Sequence, residues 1–469
     1  MASIEDYKCE HLFLLIGRNP LPNYVAAKLL TKLKVADSKA HLYLLHSEDS
    51  GRSKGTKNYA DNLTRVLGSE NVHTEFLPVE PSNPTSIATE IDKHLLRIPA
   101  NEAIGLNYTG GTKAMAVHAY GAIRQWKERE NEDKKPEDKR KVFFSYLDPR
   151  QLTLWIDPVE LGGHSVPFNL GCTDPPDQKR LFDDARISFE QLLKLHGQEL
   201  LPRGYRNPRS APVVEDVVNA LWADYDAFNT DELKKWREWK EETLKPIVEE
   251  CQRVGGSGGD KDVKGRQLTE EEWAEYSRRL RNKRISFTFP YAPKLRCALE
   301  KLGLLVNDEI ILENYPNDGA EDTVGHFCKG IFNNTWLEDY VFHQVQMLAT
   351  QCNLHDVGIS LGTLLPKETE PYFEIDVIAM RGYQLFAVSC TLNPHRQSCK
   401  EKLFEIKLRA EQLGGEEARI GLVCRVGKGN PRELSILRKQ LESDNIKVFG
   451  YSDLPDLANG LEKWFKGEI

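Results

Sequence analysis

Short apolar runs alternate with stretches at helical spacing along the first third of the chain. His11 to Ile16, His41 to His46, Val72 to Leu77 and Ala103 to Leu106 read as strands. Tyr24 to Leu33, Asn58 to Leu67, Pro84 to Leu96 and Lys113 to Lys127 read as the helices between them. Strands separated by helices predict an open α/β sheet with parallel pairing and right-handed crossovers, in a domain covering residues 1–170. Val142 to Leu147 and Leu152 to Ile156 predict a hairpin around Asp148-Pro149, and the charged stretch Glu128 to Lys141 a surface loop.

From 171 to 325 the pattern is that of a helical connector. Charged helical stretches, Val214 to Ala227 and Thr230 to Arg253, lead into a Gly-rich flexible tip at Val254 to Gly259. Thr269 to Arg281 and Tyr291 to Leu302 form a second helical group, and Asn307-Asp308 predicts a hairpin turn between Leu304 and Ile311. Trp222, Trp236, Trp239 and Trp273 fall at helical spacing and read as packing residues rather than base-stacking platforms. A second α/β pattern fills 326–469. It contains a helix from Thr335 to Thr350, an extended segment from Tyr372 to Met380, an apolar strand from Leu385 to Cys390 and a charged helix from Cys399 to Leu413. A strand from Ile420 to Cys424 and a helix from Leu434 to Asp444 follow.

Composition narrows the function classes. The chain has 469 residues, which suits about three domains. With 63 basic and 71 acidic residues and a formal net charge of −8, it is no generic polycation, so any nucleic-acid site must be a local basic patch. The nine cysteines show no CxxC pair and no nearby histidines at zinc spacing, as expected of reduced thiols in a cytoplasmic protein. No apolar stretch approaches the length of a membrane span and the N-terminus has no signal-peptide pattern, so no membrane partner is expected.

The most informative run is Asn107-Tyr108-Thr109-Gly110-Gly111-Thr112-Lys113, where a strand hands over to a helix. Paired glycines admit close backbone approach, Thr112 can cap the helix, and the first-turn N–H groups with Lys113 make an anion site. A tight turn whose threonine is only a cap also fits these residues. Ligands in such sheets bind beyond the carboxyl ends of the strands, which is where the Gly-Gly turn lies. The loop Gly17 to Asn23 lacks dinucleotide GxGxxG spacing, and Ser47 to Lys57 is a small, polar, basic loop.

Farther along, Glu338 on a helix and Glu374 and Asp376 on the following extended segment are candidate acids for a divalent metal. Glu374 and Asp376 are two apart and face one side of a strand, where ordinary solvated polar residues would also fall.

With these two sites in place, the chain resembles a known family. The Asn107 to Lys113 run is similar to the ligand motif of CARF domains, the CRISPR-associated Rossmann-fold sensors of cyclic oligoadenylates. Trp336-Leu337-Glu338, Glu374-Ile375-Asp376-Val377 and Phe386 to Thr391 resemble the PD-(D/E)XK-like, restriction-endonuclease-like domain of the Card/Can ancillary nucleases of type III CRISPR systems. Arg180 to Gly197 resembles the segment that follows CARF in them. The resemblance implies a homodimer binding cyclic tetra-adenylate across its two-fold axis, through Asn19, Pro20, Ser47, Asn107, Thr109, Gly110, Gly111, Thr112 and Lys113. It further implies an activated nuclease that cuts single-stranded RNA or DNA, or nicks duplex DNA, with Mn²⁺ or Mg²⁺ held by Glu338 and Asp376, with Glu374 and Lys402 beside them.

One departure stands out. Where the family places its (D/E)xK triplet, this chain has Ser389-Cys390-Thr391. Three explanations compete: the acid and base align elsewhere; the roles fall to Lys400, Lys402 or Glu405 on the next helix; or the protein is a catalytically impaired cyclic-oligoadenylate sensor. A further alternative is that the N-terminal domain cleaves its own ligand, with Lys113 as electrostatic stabiliser.

Overall fold

A computed structural model describes residues 3–31, 40–49, 54–68, 72–135, 138–157, 164–171, 181–200, 212–252, 270–315, 324, 327, 328, 336–365 and 372–469. The tip at Val254 to Gly259, the loop residues Ser50 to Ser53, Arg180 and the Trp273 side chain lie outside the described residues.

The first domain is built on strands β1 (His11–Leu15), β2 (Ala40–His46), β3 (Val72–Pro78), β4 (Ile104–Asn107), β5 (Val142–Asp148), β6 (Thr153–Asp157) and β7 (Val166–Asn169). They lie in the order β3-β2-β1-β4-β5-β6-β7. The first five run parallel, joined through α1 (Leu21–Leu30), α2 (Lys57–Leu67), α3 (Pro84–Leu95) and α4 (Lys113–Glu130), as their alternation predicts. β1 and β4 are buried along their whole length, because helices cover both faces of a parallel sheet. The hairpin predicted around Asp148-Pro149 is present as antiparallel β5 and β6. Strand order reverses between β1 and β4, so the loops after these two strands open a crevice.

The stretch read as a helical connector holds more than helices. Its helices are α5 (Phe189–Leu195), α6 (Pro212–Ala227), α7 (Thr230–Trp239), α8 (Lys245–Gln252), α9 (Glu270–Arg281) and α10 (Pro293–Lys301). β8 (Glu199–Leu200) joins the C-terminal sheet beside β12 (Asp356–Leu364), a strand the hydropathy pattern did not announce. β9 (Arg284–Ser286), β10 (Leu305–Val306) and β11 (Glu309–Ile311) make a small antiparallel sheet. Asn307 and Asp308, both at positive φ (49° and 62°), turn the β10–β11 hairpin as their side chains favour. Trp236 and Trp239 are buried in a core with Phe228, Phe287 and Phe289, and Trp222 packs on Trp336 and Tyr340, in line with packing roles.

The C-terminal sheet has the order β16-β15-β14-β13-β12-β8. β12, β13 (Phe373–Arg381) and β14 (Gln384–Thr391) form an antiparallel meander; β15 (Arg419–Cys424) and β16 (Ile446–Phe449) extend it in parallel with β14. Helices α11 (Trp336–Leu348) and α14 (Leu457–Lys466) share a core with Val377, Phe386 and Val388. Helix α12 (Arg396–Gly414) presents Cys399, Leu403, Ile406, Ala410 and Leu413 to the other core, and α13 (Pro431–Leu441) follows. That second core is continuous with the first domain: Leu12, Leu14 and α1 share it with α5, Tyr383 and Leu385.

Candidate functional site: a glycine cradle and a carboxylate cluster

Both loops of the switch-point crevice are shaped by close backbone contact. A side chain at Gly110 would meet the Leu15 carbonyl oxygen, so only glycine fits, and Gly111 has a left-handed φ of 73°. Thr112 caps α4 by accepting from Met115 N–H at 3.1 Å, and its hydroxyl is 3.0 Å from the Pro81 carbonyl. Gly111, Thr112 and Lys113 are exposed at this helix N-terminus, where the macrodipole favours an anion.

The other candidates divide by what their polar atoms already do. Asn107 is fully buried, donates to Ser145 Oγ at 3.1 Å and accepts from Thr109 N–H at 3.3 Å; it holds the turn's shape. Thr109 Oγ1 accepts from Leu147 N–H at 2.7 Å and ties the turn to β5. Pro20 is buried, and Asn19 Oδ1 accepts from Leu21 N–H at 3.0 Å at the start of α1. Ser47 is linked through its N–H and hydroxyl to Thr56, which closes the loop after β2. Asn23 was not among the sequence candidates. It is buried beneath Gly110, donates to Leu15 O at 3.0 Å, and leaves Oδ1 without a hydrogen bond. A polar residue inside the apolar run Leu21 to Ala27 is the signal that marks it.

The carboxylate cluster gathers from five elements. Asp376 on β13 accepts at Oδ2 from Cys390 N–H (2.7 Å) and Ser389 Oγ–H (3.0 Å) of β14, which leaves Oδ1 as its freer oxygen. Glu338, half-buried in the first turn of α11, is 3.5 Å through Oε2 from Ser360 Oγ. Ser360 has a positive φ of 50° within β12, a strained position beside the acids. Burial first, then the negative charges of Asp376, Asp339 and Glu374, pushes the Glu338 carboxyl up to about 9; Lys402 on α12 opposes them. Burial also raises Asp376, against the Cys390 N–H and Lys402.

The sequence candidates Glu338, Asp376, Glu374 and Lys402 thus lie within one another's fields, with Glu374 and Lys402 exposed. Thr391, which stands where the family pattern has lysine, accepts at Oγ1 from Asn393 N–H at 3.1 Å and shapes the turn before α12. Two raised carboxyls with oxygen donors are a donor set that a hard divalent cation suits, because the cation removes their mutual repulsion.

Helix α12 also reaches the crevice. It ends at Gly415, φ 71°, where a side chain would collide with the Asn19 amide nitrogen. Leu413 O accepts from His196 Nε2 at 2.9 Å, and Glu416 pairs with Arg150 at 3.8 Å. Burial holds the His196 imidazole down at about 4, so it is the neutral ring that donates.

Likenesses to known proteins bear on both regions. Residues 327–467 match the family model described as Card1-like, endonuclease domain. A crystal structure of protein VC1899 from Vibrio cholerae shares the fold over 98% of this chain and 98% of its own, at TM-score 0.60 and 15% identity. A structure of Can2 from Sulfobacillus thermosulfidooxidans in complex with cyclic tetra-adenylate matches over 98% of this chain and 99% of its own, at TM-score 0.57 and 14% identity. No curated protein sequence matches the chain. Among the described residues, no helix is long and apolar enough to cross a membrane.

Proposed function

We propose that this chain is a cyclic-oligoadenylate-activated endonuclease in which the Gly110–Lys113 cradle senses the ligand and the Glu338–Asp376 cluster serves phosphodiester hydrolysis. The observation that carries the reading is the junction of a helix-N-terminal anion cradle at a topological switch point with a Card1-like endonuclease domain. The likeness in fold to Can2, whose structure holds cyclic tetra-adenylate, supports that ring as the ligand. A symmetric ring of phosphates suits two identical helix N-termini facing each other, so the active species is a homodimer.

Glu338 and Asp376 would hold a Mn²⁺ or Mg²⁺ ion, which supplies charge neutralisation at the scissile phosphate. Cys390 N–H and Ser389 orient Asp376, and Ser360 steadies Glu338. Lys402 provides the positive charge that Thr391 lacks, close to the site of proton transfer. Glu374 extends the acidic lining on the same strand face. Cutting single-stranded RNA or DNA and nicking duplex DNA are all within this chemistry.

Coupling runs along α12, which brings Lys402 to the carboxylates and sets Gly415 against Asn19 in the crevice loop. A ligand that moves the Asn19 loop acts on the lysine through a rigid helix.

The test is cleavage of labelled single-stranded RNA, single-stranded DNA and supercoiled plasmid with Mn²⁺, with and without cyclic tetra-adenylate. Cutting is expected only with ligand, and not by an Asp376→Ala chain. Tight ligand binding without cutting would favour the impaired sensor, the reading that Ser389 and Thr391 motivate. Disappearance of the ring itself would assign ring cleavage to the N-terminal domain. Absence of binding to any cyclic oligoadenylate would overturn the sensor.

A further inference from the structure

The amino ends of the first sheet's strands carry a histidine group that neither site uses. β1, β2 and β3 are adjacent and parallel, and their register pairs His11 with His41 and His41 with His73. The His11 and His41 rings stack with centroids 4.8 Å apart, and those of His41 and His73 meet edge to face at 5.2 Å. Glu75 is two residues beyond His73 on β3 and projects from the same face. One ligand atom from each of His41, His73 and Glu75 lies within 4.8 Å of the others. His73 is exposed and the other two are half-buried, so an ion reaches the group directly from solvent.

We propose that His41, His73 and Glu75 bind a divalent transition-metal ion of the Zn²⁺ class, at a site separate from the carboxylate cluster. Two imidazole nitrogens and one carboxylate oxygen are the donors that Zn²⁺, Ni²⁺ and Co²⁺ take, whereas Mg²⁺ and Ca²⁺ select oxygen. The surroundings are those of an oriented ligand set. His94 on α3 places Nδ1 3.0 Å from Glu75 Oε2, an ion-pair distance without hydrogen-bond geometry, and its Nε2 is 3.5 Å from Glu90. His11 is occupied, with Nδ1 3.0 Å from the Tyr43 hydroxyl and Nε2 bonded to Glu102, so it supports the His41 ring by stacking and is not itself a ligand. Such partners beyond the ligands fix ring orientation in metal sites.

The ion has a structural consequence. β3 is the edge strand of its sheet, and a bond from His41 on β2 to His73 and Glu75 on β3 pins that edge. The site lies at the opposite end of β1 from the cradle, whose Gly110 lies against Leu15 O. The metal-ligand spacing is created by strand register alone, across 34 residues that no local motif spans; His41, His73 and Glu75 have no recognisable pattern along the chain.

The test uses the full, untagged chain carrying Asp376→Asn, stripped of metal, so that the carboxylate cluster does not compete. It is titrated with Zn²⁺ by calorimetry and with Co²⁺ by visible absorption. One Zn²⁺ per chain and Co²⁺ d–d bands are expected. His94→Gln should weaken binding by ~10–100-fold, the cost of losing an outer partner, and His73→Ala or Glu75→Gln by more. His73 is exposed, so its loss leaves the fold intact, as circular dichroism will confirm. Failure to bind Zn²⁺, or binding and bands that persist in the His73→Ala/Glu75→Gln double variant, would overturn the proposal and leave His73–Glu75 as a surface ion pair. Ligand binding and cleavage do not enter this readout, so it stands or falls apart from the nuclease reading.

Discussion

The cradle after β4 and the carboxylate cluster beside β13 are built by opposite means. In the cradle the backbone does the shaping: Gly110 lies against Leu15 O, Gly111 takes a left-handed φ, and Asn107, Thr109 and Thr112 each satisfy a named backbone group. In the cluster, side chains from α11, β12, β13, β14 and α12 converge, and Lys402 opposes the acids without cancelling the burial and acidic neighbours that push Glu338 up to about 9. A backbone-built site is preformed for its ligand. On the proposed reading a cation completes the crowded carboxyls, which gives that site a second component that can be controlled.

The sharpest separation of the two regions is Asp376→Ala. It removes the residue that Ser389 and Cys390 orient, and cleavage should fall by at least ~10²–10³-fold, the scale of losing a principal electrostatic group. Calorimetry should find ligand affinity unchanged, since Asp376 touches nothing in the crevice.

Gly110→Ala should do the reverse. The added methyl forces the turn away from Leu15 O, at a cost of about 1–3 kcal/mol for overpacking, and ligand affinity should drop by ~10–100-fold in the same titration. Activity at saturating ligand should recover, which would separate a binding defect from a catalytic one.

Gly415→Ala tests the connection. A side chain there meets the Asn19 amide and is also strained by the φ of 71°. Ligand binding should persist while ligand-stimulated cutting shrinks by ~10-fold, within the usual range of coupling energies. Unchanged stimulation would remove α12 from the account.

Glu417→Gln should have the smallest effect on activity. Burial raises its carboxyl from 4.5 to about 7, and Oε1 has no hydrogen-bond partner. The folded pKa lies above the unfolded one, so this stability is present in full below pH 4.5 and is lost as pH rises through about 7. The variant should flatten that loss and be more stable by up to about 3 kcal/mol at pH 8 in denaturant unfolding.

The contrast also explains what the sequence revealed. The cradle was legible because its glycines, cap and lysine are consecutive, and the strands around it are unbroken apolar runs such as His11 to Ile16. Glu338 and Asp376 were legible as residue types, but their convergence, and the choice of Lys402 among Lys400, Lys402 and Glu405, depends on how α11 and α12 pack. β12 escaped notice because Gly358, Ser360 and Gly362 interrupt its apolar pattern. The approach of Asn19 to Gly415, and the alignment of His41 with His73, arise only once distant segments pair.

The central claim is that occupancy of the cradle switches on the carboxylate cluster. It is tested most directly by measuring cyclic tetra-adenylate binding and the cleavage rate on the same metal-loaded sample, across one ligand titration. The account predicts that cutting rises from a negligible basal rate in step with occupancy, with coincident midpoints. A full rate without ligand, or a saturated cradle with no change in rate, would contradict it.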